Sequence, residues 1–179
     1  MRLPALLLAL LAAGCSGAPA QLAHPPARQS ATLKGAGEFS ASGGAAAAVS
    51  YDRRLVPPGA QASLTAESAS GQTLTSLVVE GFLPSRSYGA HLHTKPCGRT
   101  GDDAGPHYQH FSGQVSPTSE VWLDITTDAS GAGQATARHA WLLDPAALPK
   151  SLVVHAKRTK ASGPEVGTAG DRVACLTLN

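Results

Sequence analysis

Nine short runs of β-prone residues, separated by turn signals, limit what this chain can fold into. The turns include Pro57-Pro58-Gly59, Ser70-Gly71 and residues 128–131, which carry the residue types that tight turns favour. No long amphipathic helix is evident between residues 30 and 179, and short strands at regular spacing are typical of an antiparallel sandwich or barrel. The predicted strands cover residues 30–34, 46–53, 60–67, 73–80, 88–93, 120–127, 133–139, 151–155 and 173–178.

Two longer segments, residues 100–119 and 156–172, lack this strand pattern. Long loops in a compact domain tend to carry function. The chain has 179 residues, which suits one domain with a core of its own. We therefore predict a single all-β antiparallel domain with two long functional loops, and the histidines of interest lie at the edges of those loops.

Two histidines stand two positions apart in a predicted strand. Side chains two apart on a β-strand point to the same face, so His91 and His93 are placed to bind one ion while Leu92 points into a core. His107 lies in the first long loop, and His155 ends a later apolar run. Imidazole ligands suit copper or zinc, whereas magnesium and calcium prefer oxygen. The sequence therefore predicts a copper or zinc site.

The N-terminus has the pattern of an export signal. A short positive start precedes an apolar run, residues 3–13, which is too short to cross a membrane as a helix. The following Cys15 lies in a segment that resembles a bacterial lipobox, except that Ala12 stands where a large apolar residue is usual. We predict a lipoprotein signal peptide over residues 1–14 and a lipid anchor on Cys15.

Ordinary signal cleavage after Ala20 is the alternative to a lipid anchor. Residues 15–29 are rich in Ala and Pro, which favours a flexible tether ahead of a folded domain over residues 30–179. We expect an exported protein, anchored in the membrane by lipid only and facing the periplasm or the cell exterior. The formal net charge of +2 gives no general preference for polyanions, so no nucleic-acid partner is expected.

Two cysteines remain once Cys15 is lipidated or removed. Exported proteins commonly pair their cysteines, so we expect a bridge between Cys97 and Cys175. Two separate buried thiols are the alternative.

Five segments of the chain, in order, resemble the copper/zinc superoxide dismutase family. The likeness extends over about residues 30–179, and the chain is identified as a member of that family on these motifs. The segments are Gly81-Phe82-Leu83 with Gly89-Ala90-His91-Leu92-His93, then Gly105-Pro106-His107, the turn 128–133, Leu152-Val153-Val154-His155 and Asp171-Arg172-Val173-Ala174-Cys175.

The resemblance implies a Greek-key β-barrel with copper at the base of a channel. His91, His93, His107 and His155 would be the copper ligands, and Cys97–Cys175 the disulfide. Arg172 would hold the superoxide anion beside the metal, since a guanidinium stays charged and presents a fork of donors. The implied activity is dismutation of superoxide to O₂ and H₂O₂ by Cu(II)/Cu(I) cycling, with His107 both a ligand and a catalytic group that transfers a proton.

The zinc ligands of the family have no clear counterparts here. His110 is the only histidine soon after His107, and the usual zinc aspartate falls near Val121. Structural zinc takes four protein ligands, so we expect copper and no zinc. Something else must then hold the second nitrogen of His107; the candidates are Glu120, His110 and Asp124.

Two further residues, Thr159 and His139, carry expectations of their own. Thr159 stands about where the family has an aspartate that links the copper and zinc ligands, and His139 is expected at an outward strand position.

A non-catalytic exported copper carrier is the alternative function, since it would need the histidines but not Arg172. A metal-free interaction barrel is disfavoured by the four retained ligands. The oligomeric state is not predicted.

Overall fold

The computed structural model, which describes residues 30–41 and 47–179, consists of β-strands and a single 3₁₀ helix, Gly101–Ala104. Within that part of the chain, no helix is long and apolar enough to cross a membrane. The predicted signal peptide, Cys15 and the predicted tether lie outside the described residues. The strands are β1 (Ala31–Glu38), β2 (Ser40–Ala41), β3 (Ala48–Ser50), β4 (Gln61–Ala69), β5 (Gln72–Glu80), β6 (Ser87–His93), β7 (Ile125–Thr126), β8 (Gly133–His139), β9 (Ser151–His155) and β10 (Arg172–Thr177).

One sheet has four antiparallel strands in the order β1-β4-β5-β8. β4 and β5 form a hairpin closed by Ser70 and Gly71, which both have positive φ angles of 53° and 82°, as a primed two-residue turn requires. Along β4, buried side chains such as Leu64 alternate with exposed ones. This sheet therefore has one face on the core and one face in solvent.

The second sheet has six strands in the order β2-β3-β10-β9-β6-β7. The register sets Leu92 opposite Leu152 and His91 opposite Val153. Leu92 and Leu152 belong to the main core between the sheets, so His91 and Val153 point to the opposite, outer face. The chain passes repeatedly from one sheet to the other, and the all-β Greek-key sandwich predicted from the sequence is confirmed.

The outer face of the six-stranded sheet is covered by the two long loops. In the first loop, Ala104 of the 3₁₀ helix packs on Val153 and Cys175. The disulfide between Cys97 and Cys175, with Cα atoms 5.6 Å apart, ties that loop to β10. β6 and β9 are consequently buried along nearly all their length.

The predicted strand over residues 120–127 is shorter in the structure, where only Ile125–Thr126 forms a regular strand. The edge of β6 is shared between two segments, which explains the difference. Leu92 donates its backbone N–H to Val121 O, but its carbonyl accepts from Tyr108 N–H in the other segment. Residues 120–124 therefore bend around the sheet edge and pair through isolated bridges.

Candidate metal centre

Four histidines meet on the covered face of the six-stranded sheet. His91 and His93 come from β6 and His155 from the end of β9, while His107 reaches them from the first loop by pairing with His93 in a β-bridge. One nitrogen from each ring lies within 4.8 Å of the others. The side chain of His107 is 18% exposed, whereas the other three histidines are buried.

Two of these rings have their protons fixed by backbone carbonyls. His93 donates from Nδ1 to Gly105 O at 2.9 Å, and His155 donates from Nδ1 to Gly170 O at 3.1 Å. A neutral imidazole with its proton on Nδ1 carries a lone pair on Nε2. Both Nε2 atoms are buried, and neither has a hydrogen-bond partner among the residues that the structure describes. Buried lone pairs on oriented imidazoles fit copper or zinc.

His91 is oriented the opposite way. Its Nδ1 lies 3.1 Å from His107 Nε2, and its Nε2 lies 2.7 Å from Thr159 Oγ1. The centre is therefore built from Nδ1 of one ring and Nε2 of three others.

Burial keeps three of these imidazoles, those of His91, His93 and His155, neutral. Removal from water lowers the pKa of His91 far below the ordinary histidine range. Burial likewise lowers the pKa of His93 to about 3 and that of His155 to about 4, although the carbonyl that each ring faces acts against this. Neutral rings present lone pairs to a metal without first losing a proton.

Glu120 holds His107 through the ring nitrogen that points away from the centre. Its carboxylate is buried at 1% exposure and accepts from His107 Nδ1, Trp122 Nε1 and Gln109 Nε2, each at 2.8 Å. Burial acts to raise the pKa of Glu120, but the three hydrogen bonds outweigh it and the pKa lies below the usual value. The carboxylate thus accepts the Nδ1 proton of His107 and leaves Nε2 facing the centre.

The other two candidates for supporting His107 lie elsewhere. The ring of His110 stacks on Trp141, with centroids 4.4 Å apart and an interplanar angle of 4°. Asp124 accepts hydrogen bonds from Thr159, which contacts His91 rather than His107.

His139 is buried rather than facing outward, so that expectation is wrong. Residues 117–120 cover the end of β8, and His139 Nε2 lies 3.1 Å from both Pro117 O and Glu120 O. His139 therefore anchors the backbone that carries Glu120.

Arg172 lies at the start of β10, opposite His155 and beside a register shift. Its NH1 group donates to Gly101 O at 2.9 Å and Gly105 O at 2.8 Å. Gly105 has a φ of +73°, which favours glycine, and its carbonyl accepts from both Arg172 and His93. The same short loop therefore orients one of the four clustered histidines and the cation beside it.

A cavity of about 580 Å³ leads to the centre. Arg172, His107 and His155 line it together, with Val115 and Thr168 from the two loops. The cavity joins solvent to the two histidines and the guanidinium, so a small anion has a path to them.

Three contributors were not predicted as supporting residues. Gln109 and Trp122 donate to Glu120, and Gly105 supplies the shared carbonyl. Glu120 and Trp122 stand two apart, a spacing that puts both on one face of an extended segment; that signal was available. Gln109 has no comparable sequence signal.

Comparison with known proteins agrees with this fold. Cu/Zn superoxide dismutase from Brucella abortus is similar in structure, with a TM-score of 0.55 and 20% identity, over 83% of this chain and 99% of that one. No curated protein matches the chain. The family profile described as copper/zinc superoxide dismutase (SODC) matches residues 59–177, more than half of the chain. The chain belongs to the copper/zinc superoxide dismutase family.

Proposed function

We propose that this protein converts superoxide to O₂ and H₂O₂ with copper held by His91, His93, His107 and His155. The observation that carries the proposal is the pair of buried Nε2 atoms of His93 and His155, which have no hydrogen-bond partner within residues 30–41 and 47–179. They converge with two further imidazole nitrogens. Copper bound there would supply cycling between two oxidation states, which zinc lacks.

Arg172 binds the substrate in this proposal. Its two hydrogen bonds to backbone carbonyls use NH1 and hold the guanidinium against the cavity. A guanidinium is charged at every physiological pH, so it attracts superoxide and orients it near His107 and His155. The attraction should weaken as salt rises, because salt screens exposed charges.

His107 transfers a proton in this proposal. Formation of H₂O₂ consumes protons, and His107 is the most exposed of the four histidines. Its Nδ1–H is held by Glu120 at 2.8 Å, so the ring keeps its position while Nε2 gains or loses a proton. Such positioning preserves the geometry of proton transfer, whose loss can lower rates by orders of magnitude.

We propose further that the protein uses copper without zinc. The nitrogen of His107 that points away from the centre is already bonded to Glu120. Among residues 30–41 and 47–179, His, Cys, Asp and Glu side chains form only one group of three or more that could hold a metal. This supports one metal centre, not two.

We also propose that the protein acts outside the cytoplasm, as a lipoprotein anchored through Cys15 ahead of a tether and the domain 30–179. The disulfide supports this location, because such bonds persist in oxidising compartments. Mass spectrometry of the mature protein tests the anchor. A lipid-modified Cys15 at the N-terminus is expected, whereas an unmodified chain that begins at Gln21 would contradict it.

The decisive experiment combines metal analysis with a superoxide assay. The purified protein should bind about one copper and little zinc, from ligand counting, and should consume superoxide. Arg172→Ala should keep its copper, lose activity and depend less on ionic strength. Arg138→Ala, which removes an exposed arginine from β8 of the other sheet, is the matched control and should behave as wild type.

Two outcomes would contradict these proposals. Copper-loaded protein without superoxide activity would favour the non-catalytic copper carrier. Stoichiometric, tightly held zinc beside the copper would contradict the copper-only proposal.

A further inference from the structure

A chain of hydrogen bonds runs from His91 away from the metal centre. His91 Nε2 lies 2.7 Å from Thr159 Oγ1, and Thr159 Oγ1 lies 2.5 Å from Asp124 Oδ1. The backbone N–H of Thr159 also donates to Asp124 Oδ2 at 2.8 Å. Thr159 is buried, and Asp124 is half-buried. Asp124 and Thr159 thus support the one histidine that uses Nδ1 toward the centre.

The direction of each hydrogen bond follows from donor counting. An ionised carboxylate only accepts, and a threonine hydroxyl has a single proton to donate. The hydroxyl of Thr159 therefore donates to Asp124 and accepts from His91. That arrangement places the proton of His91 on Nε2 and the lone pair on Nδ1.

The opposite tautomer of His91 would damage the site. With its proton on Nδ1, His91 would donate to His107 Nε2, which lies 3.1 Å away. One hydrogen bond would then occupy two of the four nitrogens that face the centre. In that tautomer His91 Nε2 would also need a donor, and the only hydroxyl proton of Thr159 already goes to Asp124.

Backbone contacts hold both supporting residues against the strand that carries His91. Gly89 N–H donates to Lys157 O at 2.6 Å, which docks the second long loop on β6. Leu123 N–H donates to Ala90 O at 2.7 Å, which docks the segment before Asp124 on the same strand. The two segments therefore meet beside His91 through bonds that do not involve its side chain.

We propose that Asp124 and Thr159 are positioning residues that fix the tautomer of His91 and thereby keep two copper-binding nitrogens free. This inference rests on the proposed function for the identity of the metal. It assigns Asp124 to the support of His91, whereas the sequence made Asp124 a candidate for the support of His107. Partners of this kind orient ligands, and their loss typically lowers metal affinity by about 10–100-fold.

The first test reads the tautomer directly in the metal-free protein. Nitrogen-15 NMR of the histidine rings should show His91 of the wild type protonated on Nε2. Thr159→Val, which keeps the shape but removes the hydroxyl, should shift His91 toward the form protonated on Nδ1. Asp124→Asn should do the same, because its amide donates to the hydroxyl and turns the hydroxyl proton toward His91.

The second test measures copper affinity by competition with a chelator and records the electron paramagnetic resonance spectrum of Cu(II). Thr159→Val and Asp124→Asn should bind copper about 10–100-fold more weakly, with altered copper hyperfine splitting. Thr159→Ser, which restores the hydroxyl, should return both readouts close to wild type. Thr126→Val is the matched control, since it removes from nearby β7 an exposed hydroxyl whose partner among the described residues is Ser87.

Wild-type tautomer and copper affinity in both Thr159→Val and Asp124→Asn would overturn the proposal, as would a wild-type His91 protonated on Nδ1. If Thr159→Val fails to fold, the wild-type spectrum and Asp124→Asn decide the matter. Neither readout depends on superoxide. A wild type with the expected tautomer and tight copper, but without activity, would therefore overturn the proposed function and leave this inference standing.

Discussion

The outer faces of the two sheets differ in their exposure to solvent. In the four-stranded sheet, β4 and β5 alternate between buried and exposed side chains. In the six-stranded sheet, β9 is buried along its whole length, because the long loops cover its outer face. A covered outer face is an interior surface, where each polar group needs a partner. On that face, the nitrogens of His93 and His155 that have no partner in the described part of the chain mark the candidate metal centre.

The comparison predicts that side-chain loss in the two sheets has different consequences. Leu64→Ala, in the core beside the four-stranded sheet, should lower the free energy of unfolding by about 2–5 kcal/mol and leave copper stoichiometry unchanged. His155→Ala should weaken copper binding on the order of 100-fold or more, at or above the range for outer partners. Urea unfolding of the metal-free proteins and elemental analysis of the loaded ones measure both effects. Full copper binding by His155→Ala would mean that His155 is not a copper ligand.

The role of Glu120 in supporting His107 can be tested by replacing its carboxylate with a neutral amide of the same shape. Glu120→Gln should lower activity about 10–100-fold, because a neutral amide holds the imidazole less strongly. Its N–H₂ group also opposes a donor in either orientation: Gln109 at one oxygen position, or His107 and Trp122 at the other. Activity measured over a range of pH should show a displaced profile. Glu67→Gln, on the exposed face of β4, is the matched control. Full Glu120→Gln activity at every pH would assign the support of His107 to ordered water or another residue.

The closeness of the second loop to β6 depends on Gly89. A Cβ atom there would lie 2.6 Å from Ala169 Cβ and 2.8 Å from Lys157 O. Gly89→Ala should therefore displace the loop that carries Thr159, destabilise the protein by about 1–3 kcal/mol and weaken copper binding. Thermal unfolding and chelator competition measure the two effects. Gly133→Ala, whose added Cβ would come no closer than 3.3 Å to another atom, should be milder in both; equal effects would contradict the role given to Gly89.

The regular parts of the molecule were predictable from local pattern. β8 and β9 have the predicted bounds, because each strand follows its own alternation or apolar run. The placement of His91 and His93 on one face follows from the two-residue period of a strand. The disulfide between Cys97 and Cys175 was predictable from the expectation of export and from the family likeness.

The supports of the centre were less predictable because they depend on how the loops fold over the sheet. The strand predicted over residues 120–127 is mostly irregular, since β6 shares its edge between two segments. Glu120 was one of three candidates, and only the folded loop distinguishes it from His110. The contact between Asp124 and Thr159 joins residues 35 positions apart, and no local periodicity reports such a contact.

The stability of the metal-free protein should depend on pH through the histidines of the covered face. His93 and His155 have pKa values of about 3 and about 4 in the folded metal-free protein, against an ordinary value of 6.5. Between about pH 6.5 and 4 the unfolded chain binds these protons and the folded protein does not, so stability falls as the pH falls. Each such histidine contributes at most about 1.4 kcal/mol per pH unit.

Urea unfolding of the metal-free protein at several pH values between 7 and about 4 checks this dependence. Glu120 adds to it at the acid end, because its lowered pKa gives stability that is lost when the carboxylate is protonated. His155→Gln should show a shallower slope than wild type, since one titrating ring is gone from the covered face. The loaded protein should lose stability more steeply on acidification, because protons then compete with copper for the same nitrogens. An unfolding free energy that stays constant as the pH falls would mean that these rings are not held neutral by burial, and the contrast between the two sheets would lose its electrostatic basis.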